Sequence, residues 1–152
     1  MEYIGDVFYD YGGGLYVNMT NRCPCHCEFC IRDMADSLGD ADSLWLKREP
    51  SREELLTMLR EQKLAAYDEI VFCGYGEPTE RLDCMFAVCD FVKSDPNLKD
   101  RLKTRLNTNG LSDFINERAT AKEFEGRLDA VSISLNAPTA EKYNELCKPK
   151  FG

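Results

Sequence analysis

Cys23-Pro24-Cys25-His26-Cys27-Glu28-Phe29-Cys30 places four of the chain's eight cysteines within eight positions. Cysteines this close cannot bridge to one another without bending the backbone sharply, so the stretch reads as a ligand set rather than as disulfides. Thiolates are soft donors that select zinc, copper(I) or iron–sulfur centres. Three readings compete on these residues alone. Cys23, Cys27 and Cys30 form a CxxxCxxC triplet suited to an iron–sulfur centre. Four of Cys23, Cys25, His26, Cys27 and Cys30 would close a tetrahedron around a structural zinc, although such sites usually draw on two separated pairs and no second pair is apparent. Cys27-Glu28-Phe29-Cys30 is also a redox CxxC, which would leave Cys23 unexplained.

On the amino-terminal side, Leu15-Tyr16-Val17-Asn18-Met19-Thr20 alternates Leu, Val and Met with Tyr, Asn and Thr, the period of a strand that runs straight into the cysteines. Before it, Val7, Phe8, Tyr9 and Tyr11 are β-prone and Gly12-Gly13-Gly14 is a turn. Residues 1–14 are therefore expected to be a strand-and-turn extension without visible chemistry, and residues 15–152 the core domain. On the other side a polar loop runs through Asp33 to Lys47 and carries the single tryptophan, Trp45, read as a packing anchor. Ser51 and Glu54 form a capping box that opens a helix with Leu55, Leu56, Leu59 and Ala66 on one face.

The pattern then repeats. Glu69-Ile70-Val71-Phe72-Cys73 predicts a short strand ending in Gly74-Tyr75-Gly76-Glu77-Pro78. Such a turn lets backbone approach a ligand, with Glu77 adding a charge for an ammonium or hydroxyl group; alternatively it is a tight turn with a solvated glutamate. Leu82, Met85, Phe86, Cys89 and Val92 recur at helical spacing, which makes Cys84 and Cys89 ordinary helix residues and Cys89 part of the core. Leu102 to Leu106 predicts a strand leading into Asn107-Thr108-Asn109-Gly110, and Ser112 is read as the cap of a helix carrying Phe114, Ile115 and Ala119. In the last strand Val131, Ile133 and Leu135 alternate with Ser132, Ser134 and Asn136, which after a strand–helix repeat suggests a polar interior facing a ligand. Thr139 to Cys147 begins a helix with Tyr143 and Leu146 as core candidates. Four strands alternating with four helical stretches predict an α/β fold with a parallel sheet whose ligands sit at the strands' carboxyl ends.

Four motifs in this order make the chain similar to the radical S-adenosylmethionine (radical SAM) superfamily over roughly residues 15–147. They are CxxxCxxC after the first strand, Gly74-Tyr75-Gly76-Glu77-Pro78 after the second, Thr108-Asn109-Gly110 after the third and Ser134-Leu135-Asn136 on the fourth. More narrowly, Val71 to Pro78 and the small size resemble the radical SAM proteins associated with TatD-type nucleases. The resemblance implies a partial (β/α) barrel with about four strand–helix units present. It implies that Cys23, Cys27 and Cys30 hold three irons of a [4Fe–4S] cluster, leaving the fourth iron to the amino nitrogen and carboxylate of SAM. Phe29 would pack near the adenine, and Gly74, Tyr75, Gly76 and Glu77 would receive the methionine ammonium. Thr108 or Asn109, with Ser134 and Asn136, would reach the ribose and carboxylate. The implied chemistry is reductive cleavage of SAM to a 5′-deoxyadenosyl radical that abstracts hydrogen from an unknown peptide, protein or small molecule. A one-electron reductant of the flavodoxin or ferredoxin type is the implied partner. A non-catalytic iron–sulfur and SAM-binding module, or a zinc-stabilised interaction domain, would keep the same cysteines.

Composition sets the outer bounds. With 152 residues, 43% of them apolar, the chain is long enough to bury a core. A net charge of −8 argues against general nucleic-acid binding, and Lys99, Arg101, Lys103, Arg105, Lys148 and Lys150 read as solvated faces. No stretch is long and apolar enough to span a bilayer, and eight cysteines without a secretion signal lead to the expectation of a reducing cytoplasm. The one histidine, His26, is expected beside the ligands or in solvent rather than in catalysis. Two features depart from the family pattern. Cys25 is an extra thiol, expected to point outward. The family's barrel normally has six units, so a partner or second copy is expected to complete it, or the chain is a fragment.

Overall fold

Phe8–Tyr11 (β1) and Gly14–Val17 (β2) pair antiparallel, Phe8 opposite Val17 and Tyr11 opposite Gly14. The connection turns on Gly12 and Gly13, whose φ values of 59° and 84° lie in the left-handed region that glycine alone enters without strain. The computed structural model describes residues 2–25, 43–135 and 137–150. Within them, Glu69–Phe72 (β3), Lys103–Thr108 (β4) and Ala130–Ile133 (β5) join β2 in parallel, giving the sheet order β1-β2-β3-β4-β5. Arg52–Arg60 (α1) precedes β3, Leu82–Ser94 (α2) precedes β4, Ser112–Asn116 (α3) and Ala121–Phe124 (α4) precede β5, and Ala140–Cys147 (α5) follows it. The fold is the expected α/β arrangement of strand–helix units.

The register sorts the side chains into two faces, because residues paired across neighbouring strands point the same way. Leu15, Val17, Ile70, Phe72 and Leu106 point to the helix side. There they meet Leu55 and Leu59 of α1 and Leu82, Met85, Val88, Cys89 and Val92 of α2 in one buried cluster. Each fully buried leucine, isoleucine or phenylalanine contributes on the order of 1.5–3 kcal/mol. Burial pushes the Cys89 thiol up to about 12, as befits a core residue. The opposite, inner face carries Tyr9, Tyr16, Cys73, Arg105, Asn107 and Ser132.

The capping box is present: Glu54 N–H donates to Ser51 Oγ at 3.1 Å, and Ser51 N–H to Glu54 Oε1 at 3.4 Å. Several local expectations are corrected. α1 stops at Arg60, so Ala66 falls in a separate 3-10 turn, Leu64–Ala66, and is exposed. Ser112 is the first residue of α3 rather than its cap; its hydroxyl instead accepts from Thr120 Oγ1 at 2.8 Å, and the turn is organised by Asn109 Oδ1, which accepts from Leu111 N–H at 3.0 Å. Phe114 is exposed and Ala119 lies beyond the helix. On α5 the fully buried residue is Cys147, while Tyr143 and Leu146 are half-buried. Arg101 is exposed, in line with its reading as part of a solvated face, and donates to the carbonyls of Tyr67 and Leu64 at 2.6 and 2.9 Å. Among the described residues, no helix is long and apolar enough to cross a membrane.

Candidate functional site

Asn18 to Arg22 and Gly74 to Glu77 leave neighbouring parallel strands at the same end of the sheet and lie directly on each other. Cys73 N–H donates to Val17 O at 3.1 Å and Glu77 N–H to Arg22 O at 2.7 Å, prolonging the β2–β3 ladder into the loops. The contact is too close for any side chain at the two glycines. A Cβ at Gly74 would run into the Asn18 carboxamide, and one at Gly76 into the Thr20 and Arg22 carbonyls. What approaches the glycines is thus the protein's own chain at the entrance to the cysteine stretch, and Cys23 begins one residue after the Arg22–Glu77 bond.

Glu77 is 4% exposed, which excludes the solvated reading. Its Oε2 accepts from Thr79 N–H at 3.0 Å, Thr79 Oγ1 at 2.7 Å and Thr108 Oγ1 at 2.8 Å, and its Oε1 from Asn109 N–H at 2.7 Å. One carboxylate therefore ties the end of β3 to the end of β4. All four bonds come from neutral groups, and among the described residues no cation pairs with it. A buried carboxylate without a counter-charge is expensive to maintain. Thr79 was not singled out by sequence, although Pro78 at the first helical position marks Glu77 as the cap of the 3-10 turn Pro78–Arg81.

Thr20 and Arg22 are braced from below by Glu49. Thr20 Oγ1 donates to Glu49 Oε1 at 2.7 Å, Arg22 Nε to the same oxygen at 2.6 Å, and Arg81 Nη1 lies 3.3 Å from Oε2. Burial alone would push the Glu49 carboxyl up; the bonds from Arg22 and Thr20 outweigh it and hold the group below its ordinary range.

Cys25 does not point outward. It is 6% exposed, with Asn109 Nδ2 at 3.9 Å and Tyr143 Oη at 3.7 Å from its sulfur. Lys150 N–H donates to Pro24 O at 2.8 Å, so α5 and the residues after it lie against the start of the cysteine stretch.

On the inner face, Cys73 and Asn107 follow Phe72 and Leu106 and precede the loops, and Asn107 pairs with Ser132. Burial pushes the Cys73 thiol up, and the Glu77 charge adds to this against partial relief from Asn107, Arg105 and Tyr9. Tyr9, Tyr75 and Leu44 form a second buried cluster with Tyr16 and Trp45 against them, in keeping with Trp45 as an anchor. Among the described residues, buried Asn107 Oδ1 and Arg105 Nε have no hydrogen-bond partner, and Arg105 Nη2 donates to Glu69 Oε1 at 2.6 Å.

The family model described as the radical SAM superfamily matches residues 17–151. The chain belongs to the radical SAM superfamily. Among curated proteins it is similar to a probable GTP 3′,8-cyclase of Methanosarcina acetivorans, with 30% identity over 133 residues, 88% of this chain and 36% of that protein. It is also similar to one of Methanocaldococcus jannaschii, with 29% identity over 136 residues, 88% of this chain and 40% of that protein. The chain thus spans about two fifths of the length of these relatives, whose names differ from the TatD-associated group. No solved structure matches.

Of the residues that the radical SAM resemblance implicates, Cys23, Gly74, Tyr75, Gly76, Glu77, Thr108 and Asn109 gather at the carboxyl end of β2 to β4. Ser134 is exposed beyond β5, its N–H donating to Thr108 O at 3.0 Å. Cys27, Cys30, Phe29, His26 and Asn136 lie outside the described residues. Among the described residues, no three histidine, cysteine or carboxylate side chains cluster as metal ligands.

Proposed function

We propose that this chain is the SAM-cleaving part of a radical SAM enzyme. Cys23, Cys27 and Cys30 would hold the [4Fe–4S] cluster, a donor set of three thiolates that suits such a centre. Phe29, Gly74 to Glu77, Thr108, Asn109, Ser134 and Asn136 would hold SAM. When bound, the cluster would supply the one electron that cleaves the sulfonium of SAM, the chemistry needed to take a hydrogen atom from a substrate.

The observation that carries the proposal is Glu77. Its carboxylate is buried beside the entrance to the cysteine stretch and, among the described residues, accepts only from neutral donors and engages Oε1 with a single bond. That leaves acceptor capacity and negative charge for one cation, and the SAM ammonium fits both. Thr79 and Thr108 fix Oε2, so the carboxylate needs no reorganisation to receive it. Glu49 orients Thr20 and Arg22, and with them the position from which Cys23 starts. A zinc-stabilised interaction domain would give the buried charge no role.

The relatives' name makes GTP the first substrate to offer. The described strands put Lys103 and Arg105 on the inner face, Lys103 at the amino end of β4 and Arg105 bonded to Glu69, so most of the cations a triphosphate needs would come from elsewhere. A flavodoxin- or ferredoxin-type donor would supply the electron, and the edge of β5 that no described strand pairs would receive further barrel, a second copy or a partner.

The test is anaerobic incubation of the iron- and sulfide-reconstituted chain with SAM and dithionite, reading 5′-deoxyadenosine and methionine by chromatography. Both should form in the wild type and in Cys25→Ala, and neither in Cys27→Ala. Product from Cys27→Ala, or a cluster lost with Cys25→Ala, would overturn the ligand assignment. Stoichiometric zinc without a cluster would establish the interaction-domain reading instead.

A further inference from the structure

The inner face holds a line of oxidisable side chains that the SAM site does not use. Cys73 lies at the carboxyl end of β3 beneath the Glu77 turn. Tyr9 Oη donates to the Cys73 carbonyl at 2.9 Å, which sets the hydroxyl beside residue 73. The Tyr9 and Tyr16 ring centroids are 5.4 Å apart, and those of Tyr16 and Tyr11 are 5.3 Å apart. Tyr11 is 41% exposed at the outer edge of the sheet, whereas Tyr9 is 3% exposed. The antiparallel pairing of β1 with β2 makes this line: Tyr9 is opposite Tyr16 on the inner face, and Tyr11, two residues on, returns to the same face beside it.

We propose that Cys73, Tyr9, Tyr16 and Tyr11 form a one-electron relay that carries an oxidising equivalent from the inner face to the surface. The relay rests on the radical chemistry proposed above for its oxidant. A carbon-centred radical lacking its substrate takes the hydrogen atom of the Cys73 S–H: a C–H bond forms, the weaker S–H bond breaks and a thiyl radical remains. Hydrogen-atom transfer from Tyr9 Oη restores the thiol and leaves a tyrosyl radical. Tyr16 and then Tyr11 each give up an electron and a phenolic proton in turn, restoring the ring before. At the surface, a soluble thiol or ascorbate returns one electron and one proton to Tyr11. Burial pushes the Tyr9 hydroxyl far above its ordinary range, so it holds the proton that must move with the electron. The extension at residues 1–14 thereby gains a function.

One-electron exchange between similar groups runs both ways, so the relay can be entered from the surface without cluster or SAM. The full chain is photo-oxidised under argon with a ruthenium polypyridyl and a sacrificial acceptor, in the presence of a nitrone spin trap, and adducts are mapped by peptide mass spectrometry. In the wild type, adducts should appear on Tyr11 and on Cys73. Tyr16→Phe, which keeps the ring and its packing, should retain the Tyr11 adduct and lose the Cys73 adduct. An undiminished Cys73 adduct in Tyr16→Phe, or none in the wild type, would overturn the relay. Because this readout involves neither cluster nor SAM, its failure is distinct from failure of the radical SAM reading.

Discussion

β3 and β5 both end toward the same side of the sheet, β3 running through Cys73 into Gly74-Tyr75-Gly76-Glu77 and β5 into Ser134-Leu135. Yet Glu77 is 4% exposed and accepts four hydrogen bonds, while Ile133 and Leu135 are 62% and 77% exposed. The difference is one of neighbours. β3 has β2 on one side and β4 on the other, so the loops that follow all three press on its end, whereas β5 has only β4 among the described strands. A strand end flanked on both sides makes a buried charged socket in the middle of the sheet, and one flanked on a single side among the described strands makes an open edge.

The largest effect in this comparison should come from Gly76→Ala, whose Cβ would meet backbone carbonyls that have no flexible end to move. A loss of about 3 kcal/mol or more is expected in urea denaturation, by the cost of overpacking. A wild-type midpoint would mean that residues 20–22 do not lie on the turn. Glu77→Ala comes next: it orphans the Thr79 and Thr108 hydroxyls and two backbone N–H groups, at about 2–3 kcal/mol. Glu77→Gln keeps the volume and most of the bonds, so its stability should fall less while its SAM affinity, followed by equilibrium dialysis, still drops. Equal SAM affinity in Glu77→Gln and wild type would remove the ammonium from this site.

Toward β5 the expected effects shrink. Asp129 accepts from Lys93 Nζ at 2.6 Å and Thr104 N–H at 2.9 Å. Burial alone would raise its carboxyl, but those partners prevail and hold it below the ordinary range. A depressed carboxylate stabilises the fold above its unfolded value of about 3.9, and that stability is lost as pH falls through the lower folded value. Asp129→Asn should therefore cost less than about 1 kcal/mol at neutral pH, as for half-exposed pairs, and should match the wild type in strong acid. An undiminished gap there would assign the loss to packing. Ile133→Thr, on the open edge, should stay within about 0.5 kcal/mol in the same assay; a larger loss would show β5 covered in solution.

Much of the scaffold was legible because it rests on local rules. Ser51 and Glu54 are three residues apart and cap a helix without help from elsewhere, and the apolar period of residues 82–92 produced α2 as read. The environment of Glu77 was not legible. The two hydroxyls on its Oε2 belong to Thr79 and to Thr108, 31 residues away, and only the parallel pairing of β3 with β4 unites them. The same limit hid the reason for Gly74 and Gly76, which is the chain at Asn18 to Arg22, and the burial of Cys25, which needs Asn109 and Tyr143. Ser112 misled because its hydroxyl chose Thr120 rather than its own helix end. Four motifs in order carry the family resemblance without any of these contacts; the contacts add the buried carboxylate, without a cation partner among the described residues, that the proposed SAM site turns on.

The most direct measurement is electron paramagnetic resonance of the anaerobically reconstituted, reduced chain with and without SAM, on wild type and Glu77→Gln. The account predicts a reduced [4Fe–4S] signal in both proteins that SAM perturbs in the wild type and perturbs only at higher concentration in Glu77→Gln. A chain that builds no cluster, or a cluster signal indifferent to SAM, would contradict it.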